Sequence, residues 1–450
     1  MNSPQSSSRN GNALASIEGI PSVVATQILG YLTWDEKLTT AQVLSTWKPH
    51  MHTPRAWPVV KYNRESEENV YFVKEKRTKF LICLKIYGKF MRNIEISFGY
   101  IISRSGQQIL HAIADNCSML RYFRLGLGGC QEFSALSELA LKRNDVAAII
   151  SILRLCKDLD KVGLISPYIC WSDSGTNLLT ELCETRLSTK ITELRLMSLS
   201  LTDHDDYLTL LQDFSRLQML TVRREKINNT ILLQLVANGL QEICLYQDEE
   251  LALVDARQLR EDVWSQVLKI NPNFKVDLVL QYILVIKDSF VTNMPLRSLV
   301  LDDLVNIVTK GVMDHLVSCY KLTLERFTYT NLYLENFESG DSRMPAALIT
   351  LATLCQKLHT IRYGFPLSST TILILVKTRR LKELLIPSVE VSYEFDWPIQ
   401  EQWEEEFVRW LEANHRSEDL LEAAVSQVLG RPWKLQYENG LLERSVSVNM

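Results

Sequence analysis

From Met91 onward one spacing keeps returning: an apolar residue, any two residues, an apolar residue, any one residue, and a third apolar residue. It runs through Met91/Ile94/Ile96, Leu120/Phe123/Leu125, Leu159/Val162/Leu164, Ile191/Leu194/Leu196, Leu217/Leu220/Val222 and Leu240/Ile243/Leu245. It resumes at Leu296/Leu299/Leu301 and continues through Leu324/Phe327/Tyr329, Leu358/Ile361/Tyr363 and Leu381/Leu384/Ile386. Alternate side chains of a strand share a face, so the second and third apolar positions of each triplet point the same way. A stretch of helical period precedes each triplet, as with Ile109/Ile113 and Ile349/Leu351/Leu354. One strand and one helix cannot bury such a face alone, so neighbouring copies must stack. The pattern predicts an α/β chain whose residues 91–392 form a solenoid of strand–helix repeats. In the gap after Leu245, the strand-like stretch 275–280 departs from the register and reads as a degenerate copy. A generic α/β domain of separate βα units is the competing fold.

At 450 residues the chain can hold several domains or one long array. With 46% hydrophobic and 23% charged residues it can bury a large core. A net charge of −4 gives no reason to sit on a phosphate backbone, so nucleic acid is not an expected partner. Nine cysteines without a CxxC pair suggest neither a disulfide framework nor a zinc ribbon, but reduced, buried thiols. The start lacks an apolar leader and no run is long enough for a membrane span. The expectation is an intracellular protein, cytoplasmic and/or nuclear, on which the triplets Asn116-Cys117-Ser118 and Asn228-Asn229-Thr230 carry no sugar. Residues 1–16, rich in Ser, Asn and Gln, read as a disordered lead.

Ahead of the array, Val24, Ile28, Tyr31 and Leu32 recur at i, i+4, i+7 and i+8, one helical stripe. Pro21 suits a first helical turn. A second short helix is expected from Leu38 to Trp47, stopped by Pro49. The segment resembles an F-box, whose Leu-Pro start, Ile-Leu-x-x-Leu helix, Asp-Leu turn, Val-Cys-x-x-Trp helix and closing Leu-Trp have counterparts here. They are Ile20-Pro21, Ile28-Leu29-Gly30-Tyr31-Leu32, Asp35 with Leu38, Val43-Leu44-Ser45-Thr46-Trp47, and Ala56-Trp57. Leu44 replaces the usual Cys, Thr46 a basic residue and Ala56 a Leu. The resemblance implies a three-helix module, residues 17–62, that docks on a Skp-type adaptor and tethers the chain to a cullin-RING ubiquitin ligase. It places Pro21, Val24, Ile28, Leu29, Tyr31 and Leu32 at that interface, with Leu44 and Trp47 partly packing it. A small helical unit gains stability by burying its stripe on a partner; an N-terminal cap on the solenoid is the alternative. Residues 63–90 read as a linker helix.

The repeats resemble the leucine-rich-repeat family, with Ile191-Thr-Glu-Leu-Arg-Leu-Met-Ser-Leu-Ser-Leu as the cleanest copy. Their spacing is irregular, and the Asn or Cys expected after the third apolar position is mostly missing, which implies uneven curvature. Glu68-Asn-Val-Tyr-Phe-Val-Lys, Met91-Arg-Asn-Ile-Glu-Ile and Met294-Pro-Leu-Arg-Ser-Leu-Val-Leu are similar to the F-box only protein 39 group, which joins an F-box to irregular leucine-rich repeats. An acidic stretch from Asn331 reads as a protruding loop. After Ile386, Trp403, Phe407, Trp410 and Leu411 form a stripe opposite Glu404, Glu405 and Glu406. Residues 393–450 are expected to cap the last repeat, and a docking surface is the sharper alternative for that stripe.

Chemistry-bearing motifs are missing. There is no GxxxxGK[ST], GxSxG or HExxH. Gly126-Leu-Gly-Gly129 reads as a turn and His50-Met-His52 as an exposed loop. The carboxylates of Asp203-His204-Asp205-Asp206 and Asp302-Asp303 read as caps or solvated turns, and no cysteine has a partner to activate it. No catalytic residue, metal or cofactor is expected. The residue between the second and third apolar positions should point to the concave sheet face. That column reads Glu95, Arg124, Gly163, Arg195, Thr221, Cys244, Val300, Thr328, Arg362 and Leu385, with Arg223 and Arg326 in flanking columns. Arginine suits bidentate recognition of carboxylate or phosphate, so Arg124, Arg195, Arg223, Arg326 and Arg362 are candidate contacts for an acidic or phosphorylated protein segment. The expected function is a non-enzymatic substrate receptor. A leucine-rich-repeat scaffold without ligase attachment and a hydrolase in a degenerate α/β fold are the other classes.

Overall fold

Every residue of the ten triplets is buried, none more than 3% exposed, so the repeat spacing is the spacing of the core. The computed structural model describes residues 20–63, 70–98, 102, 104–127, 143–165, 178–196, 210–248, 259–281, 283, 286, 289–302, 308–330, 343–387, 391–401 and 403–436. The expectations for residues 1–16, for the acidic stretch from Asn331 and for Asp203–Asp206 lie outside these. The chain divides into two compact units, the first ending at Gln218.

In the first unit two helices, α1 (Ser22–Tyr31) and α2 (Trp34–Val43), precede five parallel strands in sequential order. These are β1 (Val60–Asn63), β2 (Asn93–Phe98), β3 (Tyr122–Leu127), β4 (Lys161–Ile165) and β5 (Glu193–Leu196), each hydrogen-bonded in parallel to the next. The helices between them are α3 (Val70–Tyr87), α4 (Arg104–Asn116), α5 (Arg143–Leu155) and α6 (Leu178–Glu184). Ile109 and Ile113 of α4 are buried with the inward residues of the strands, which places the core between helices and sheet. The array thus starts at Val60, inside the segment expected to be F-box. The expected linker helix is α3, the helix of the first repeat, which packs on α2 and α4.

The helical lead differs from expectation in two places. The second helix begins at Trp34 rather than Leu38, because Glu36 Oε2 reaches back to accept from the Thr33 N–H at 2.7 Å, a signal present in the Thr-Trp-Asp-Glu sequence. The third helix is a 3-10 segment, Ser45–Met51, with Pro49 inside it. Aromatic rings join this lead to the first repeat. Trp34 lies 4.9 Å from Phe80 of α3, Tyr62 of β1 stacks on Phe80 at 4.5 Å, and Trp57 stacks on Tyr87 at 5.1 Å.

The second unit carries seven parallel strands: β6 (Met219–Arg223), β7 (Glu242–Asp248), β8 (Lys275–Gln281), β9 (Leu296–Asp302), β10 (Arg326–Thr330), β11 (Thr360–Tyr363) and β13 (Glu383–Leu385). Between them run α7 (Asn229–Ala237), α8 (Glu261–Ile270), α9 (Lys310–Tyr320), α10 (Met344–Leu354) and α11 (Ser369–Thr378), and a short β12 (Leu367–Ser368) pairs with β14 (Val391–Ser392). Two C-terminal helices, α12 (Glu405–Asn414) and α13 (Glu418–Leu429), follow. The fold is α/β, parallel strands alternating with helices in stacked strand–helix repeats.

Four repeats turn into their strands in the same way. Cys117, Cys156, Phe214 and Cys355 each close the preceding helical segment, donating to Ile113, Ile152, Leu211 and Leu351 carbonyls at 2.9, 2.9, 3.2 and 2.9 Å. Their own carbonyls then accept from Leu120, Leu159, Leu217 and Leu358, the first residue of the following triplet, at 3.3, 3.3, 3.4 and 3.0 Å. In three of the four a small apolar thiol fills the turn, and in the other the Phe214 ring does. Burial pushes the thiols of Cys156 and Cys355 up to about 11, and Cys117 further, so they pack rather than react.

β8, expected as a degenerate copy, is a complete strand that carries three inward residues. Val276 and Leu278 pair with Ile243 and Leu245, while Leu278 and Leu280 pair with Leu299 and Leu301. The array therefore slips by two residues in crossing it. At the end, Trp433 Nε1 donates to Leu384 O at 2.8 Å and the Gln436 N–H to Ile386 O at 2.9 Å, which covers the outer edge of the β13 segment. Leu411 of α12 and Leu421 and Val425 of α13 are buried, and α13 packs on both α11 and α12.

Lys37 of α2 is buried, its ammonium donating to Leu32 O at 2.6 Å and lying 5.2 Å from the centre of the Trp57 ring. Burial pushes its pKa down from 10.5 to about 8. Between those two values the unfolded chain holds a proton that the folded chain has released, so this group makes stability rise with pH. In urea titrations at pH 7.5 and pH 10, the unfolding free energy of wild type should gain on that of Lys37→Met by on the order of 2 kcal/mol at the higher pH. A difference that does not change with pH would show the lysine titrating as it does in water.

Candidate functional site

On the helical lead, α1 turns Ala25, Thr26 and Leu29 into the protein. Pro21, Val24 and Tyr31 stay exposed, Ile28 and Leu32 are half-buried, and Leu44 and Trp47 are buried. Leu29 therefore cannot contact a partner in this arrangement. An i, i+4 stripe on a helix apolar on two sides does not say which side faces in. Two exposed residues that the stripe did not single out stand with Val24 and Tyr31: Val23 and Val43, each 68% exposed.

On the sheet face of the first unit, Glu95, Arg124, Gly163 and Arg195 lie side by side across β2 to β5. Lys61 joins the row beside Glu95, and Lys161 pairs with Glu193. Glu95 is 3.3 Å from Lys61 and 4.0 Å from Arg124, and Glu193 is 2.9 Å from Lys161 and 2.5 Å from Arg195. Burial opposes the Glu193 charge, but Arg195 and Lys161 outweigh it and hold the carboxyl below its usual range.

In the second unit the expected single column is two. Thr221 and Cys244 align with Asp277, Ser298, Arg326, Thr360 and Glu383. Val300, Thr328, Arg362 and Leu385 align instead with Val279, Tyr246 and Arg223. The two-residue slip across β8 is the cause. Arg326 bonds Asp277 at 3.0 Å, Arg362 bonds Glu383 at 2.9 Å, and Arg223 pairs with Glu225. The five candidate arginines are each paired with a nearby carboxylate, four of these on the same or nearby strands and Glu225 in the turn after β6, and none has a side chain more than 23% exposed.

The centre of this network is a residue that strict alternation assigns to the core. At β8 and β9 the register passes from Val276↔Leu296 to Asp277↔Ser298, so Arg297 is the extra residue of a bulge, a device that re-aims a side chain. Its guanidinium is bidentate to Glu242, at 2.9 Å twice, and to Asp277, at 2.9 and 2.8 Å. Burial works against the Arg297 charge, and these bonds outweigh it and raise its pKa. At the other end of β9, Asp302 accepts from Thr330 Oγ1 at 2.6 Å and from Gln281 Nε2 at 3.2 Å.

Gly126 belongs to β3 rather than to a turn. His50 Nδ1 lies 3.3 Å from Ser22 Oγ, while His52 packs on Tyr87 and Phe90, so the two imidazoles serve different contacts. Among the described residues no group of three His, Cys, Asp or Glu side chains is placed to hold a metal, and no helix is long and apolar enough to cross a membrane.

No family model matches the sequence, and no curated protein does. Among solved structures, the leucine-rich-repeat-containing protein LegL7 of Legionella pneumophila is similar over 83% of this chain and 98% of its own, at 11% identity and a TM-score of 0.37. A chain of the Rad7 and Elc1 complex of yeast is similar over 89% of this chain and 98% of its own, at 14% identity and a TM-score of 0.43.

Replacing Arg297 with Met removes the bidentate partner of two carboxylates and leaves Glu242 with Lys275 at 3.7 Å and Asp277 with Arg326 at 3.0 Å. Denaturant titration should show a loss on the order of 3 kcal/mol, partly recovered when Glu242→Gln and Asp277→Asn are added. A loss under about 1 kcal/mol, the size of an exposed pair, would mean that water compensates the carboxylates.

Proposed function

We propose that the chain is the substrate-recognition subunit of a Skp-cullin-F-box (SCF) ubiquitin ligase. The helical lead docks on a Skp-type adaptor, and the repeats hold the protein to be ubiquitinated. The observation that carries this reading is the exposure of large apolar side chains on the lead: Tyr31 is 84% exposed, Val23 and Val43 each 68%, and Val24 43%. A segment that only closed an array would turn its apolar side inward, as α13 does with Leu421, Ala424 and Val425. Exposed apolar groups concentrated on one small helical unit suit helix-to-groove docking.

The aromatic contacts of Trp34, Phe80, Tyr62, Trp57 and Tyr87 add a mechanical element: an adaptor bound to the lead is held in fixed relation to the first repeats. On this reading the chain performs no chemistry, needs no metal or cofactor, and positions one protein against another. For the substrate, the sheet face of the first unit is favoured. There Lys61, Arg124, Lys161 and Arg195 outnumber Glu95 and Glu193, an excess of positive charge suited to an acidic segment. A leucine-rich-repeat scaffold without ligase attachment is the second reading, since the repeats would serve it equally.

Co-purification separates the two. A Skp-type adaptor should be recovered with wild type and at least tenfold less with Val24→Asp plus Tyr31→Asp. These residues are exposed, so the melting temperature should stay within about 2 °C of wild type. No adaptor with wild type, or undiminished recovery with the folded variant, would leave the scaffold reading in place.

A further inference from the structure

At the C-terminal end of the second unit, Trp403, Glu404, Glu406, Phe407 and Trp410 form a pocket of about 500 Å³ with Lys377 of α11. Leu411 of α12 is buried, while the three rings are only half-buried. Trp403 and Phe407 meet at 83° with centroids 5.4 Å apart, two walls of a corner. Phe407 and Trp410 lie within 18° of parallel, 6.1 Å apart.

One wall already holds a cation. The Lys377 ammonium sits 4.6 Å above the Trp410 ring, inside the ~6 Å range over which the negative face of an aromatic ring attracts positive charge. Two carboxylates against this one ammonium leave the lining with one unbalanced negative charge. Glu405 and Glu406 also suit the positive end of α12, but that role calls for no aromatic walls. The volume exceeds what the Lys377 ammonium occupies and leaves room for a side chain with its adjoining backbone.

We propose that this pocket binds a lysine side chain of a partner protein segment, its ammonium against Trp403 and Phe407 and neutralised by Glu404 and Glu406. The site is separate from the helical lead and does not depend on adaptor docking. Lys377 marks the chemistry and, being a like charge beside the incoming one, limits the affinity.

The test uses the full-length protein and two peptides, acetyl-Ala-Ala-Lys-Ala-Ala-amide and its twin acetylated on the lysine, with binding followed by calorimetry. The free-lysine peptide should bind, the acetylated twin at least tenfold more weakly. Glu404→Gln with Glu406→Gln, both exposed positions, should weaken binding about tenfold and lower the melting temperature by no more than about 2 °C, the small loss expected of carboxylates at a helix start. Phe407→Ala should abolish binding, and Lys377→Met should strengthen it several-fold. Equal binding of the two peptides, no binding of either, or indifference to the Glu404/Glu406 pair would overturn the proposal. So would butylamine binding as tightly as the peptide, which would mark a site for small amines.

Discussion

A parallel strand has unpaired N–H and C=O groups on both edges and apolar residues on one face, and it is stable only when neighbours satisfy all three. The rest of this protein follows from that need. Within each unit the next strand supplies the edge and the following helix covers the apolar face. The turn between them is compact enough for a buried thiol to serve as its filler, at Cys117, Cys156 and Cys355. At the C-terminal end, where no further repeat follows β13, Trp433 and Gln436 supply backbone and indole partners in its place.

The helical lead meets the same need at the other end of the first unit. Trp34, Trp57, Tyr62, Phe80 and Tyr87 interleave side chains from the lead, β1 and α3, so the lead is continuous with the first repeat in packing. Lys37 sits within this cluster at a cost in solvation, compensated in part by the Leu32 carbonyl and the Trp57 ring. Apolar residues left outside this packing, Tyr31 above all, are therefore surplus to the fold.

The strand triplets were legible because burial imposes their period directly, and period is what an amino-acid sequence displays. The Cys-x-x-Leu turns are equally present in the sequence, but the leucine-rich-repeat pattern places its Asn or Cys after the triplet instead of before it. The start of α2 was written in Thr33 and Glu36, a local signal that outweighs the apolar spacing from Leu38. Three things were not legible. Alternation places Arg297 in the core, and only the bulge beside Val276 and Asp277 turns it outward. The column of outward residues could not be followed through β8, since three inward positions permit either of two alignments. For α1, apolar residues on both sides left the inward direction to be decided by packing, which chose Ala25 and Leu29 over Val24 and Tyr31.

The charged rungs on the two sheet faces are closed circuits: Glu95 with Lys61 and Arg124, Glu193 with Lys161 and Arg195, Glu242 and Asp277 with Arg297 and Arg326. A change at one member leaves its partners unmatched, so such positions cannot drift singly. Over evolutionary time the rung is the unit of variation, and its members should change together or exchange sign. A sheet face built this way can alter its identity completely while the pairing within each rung is inherited.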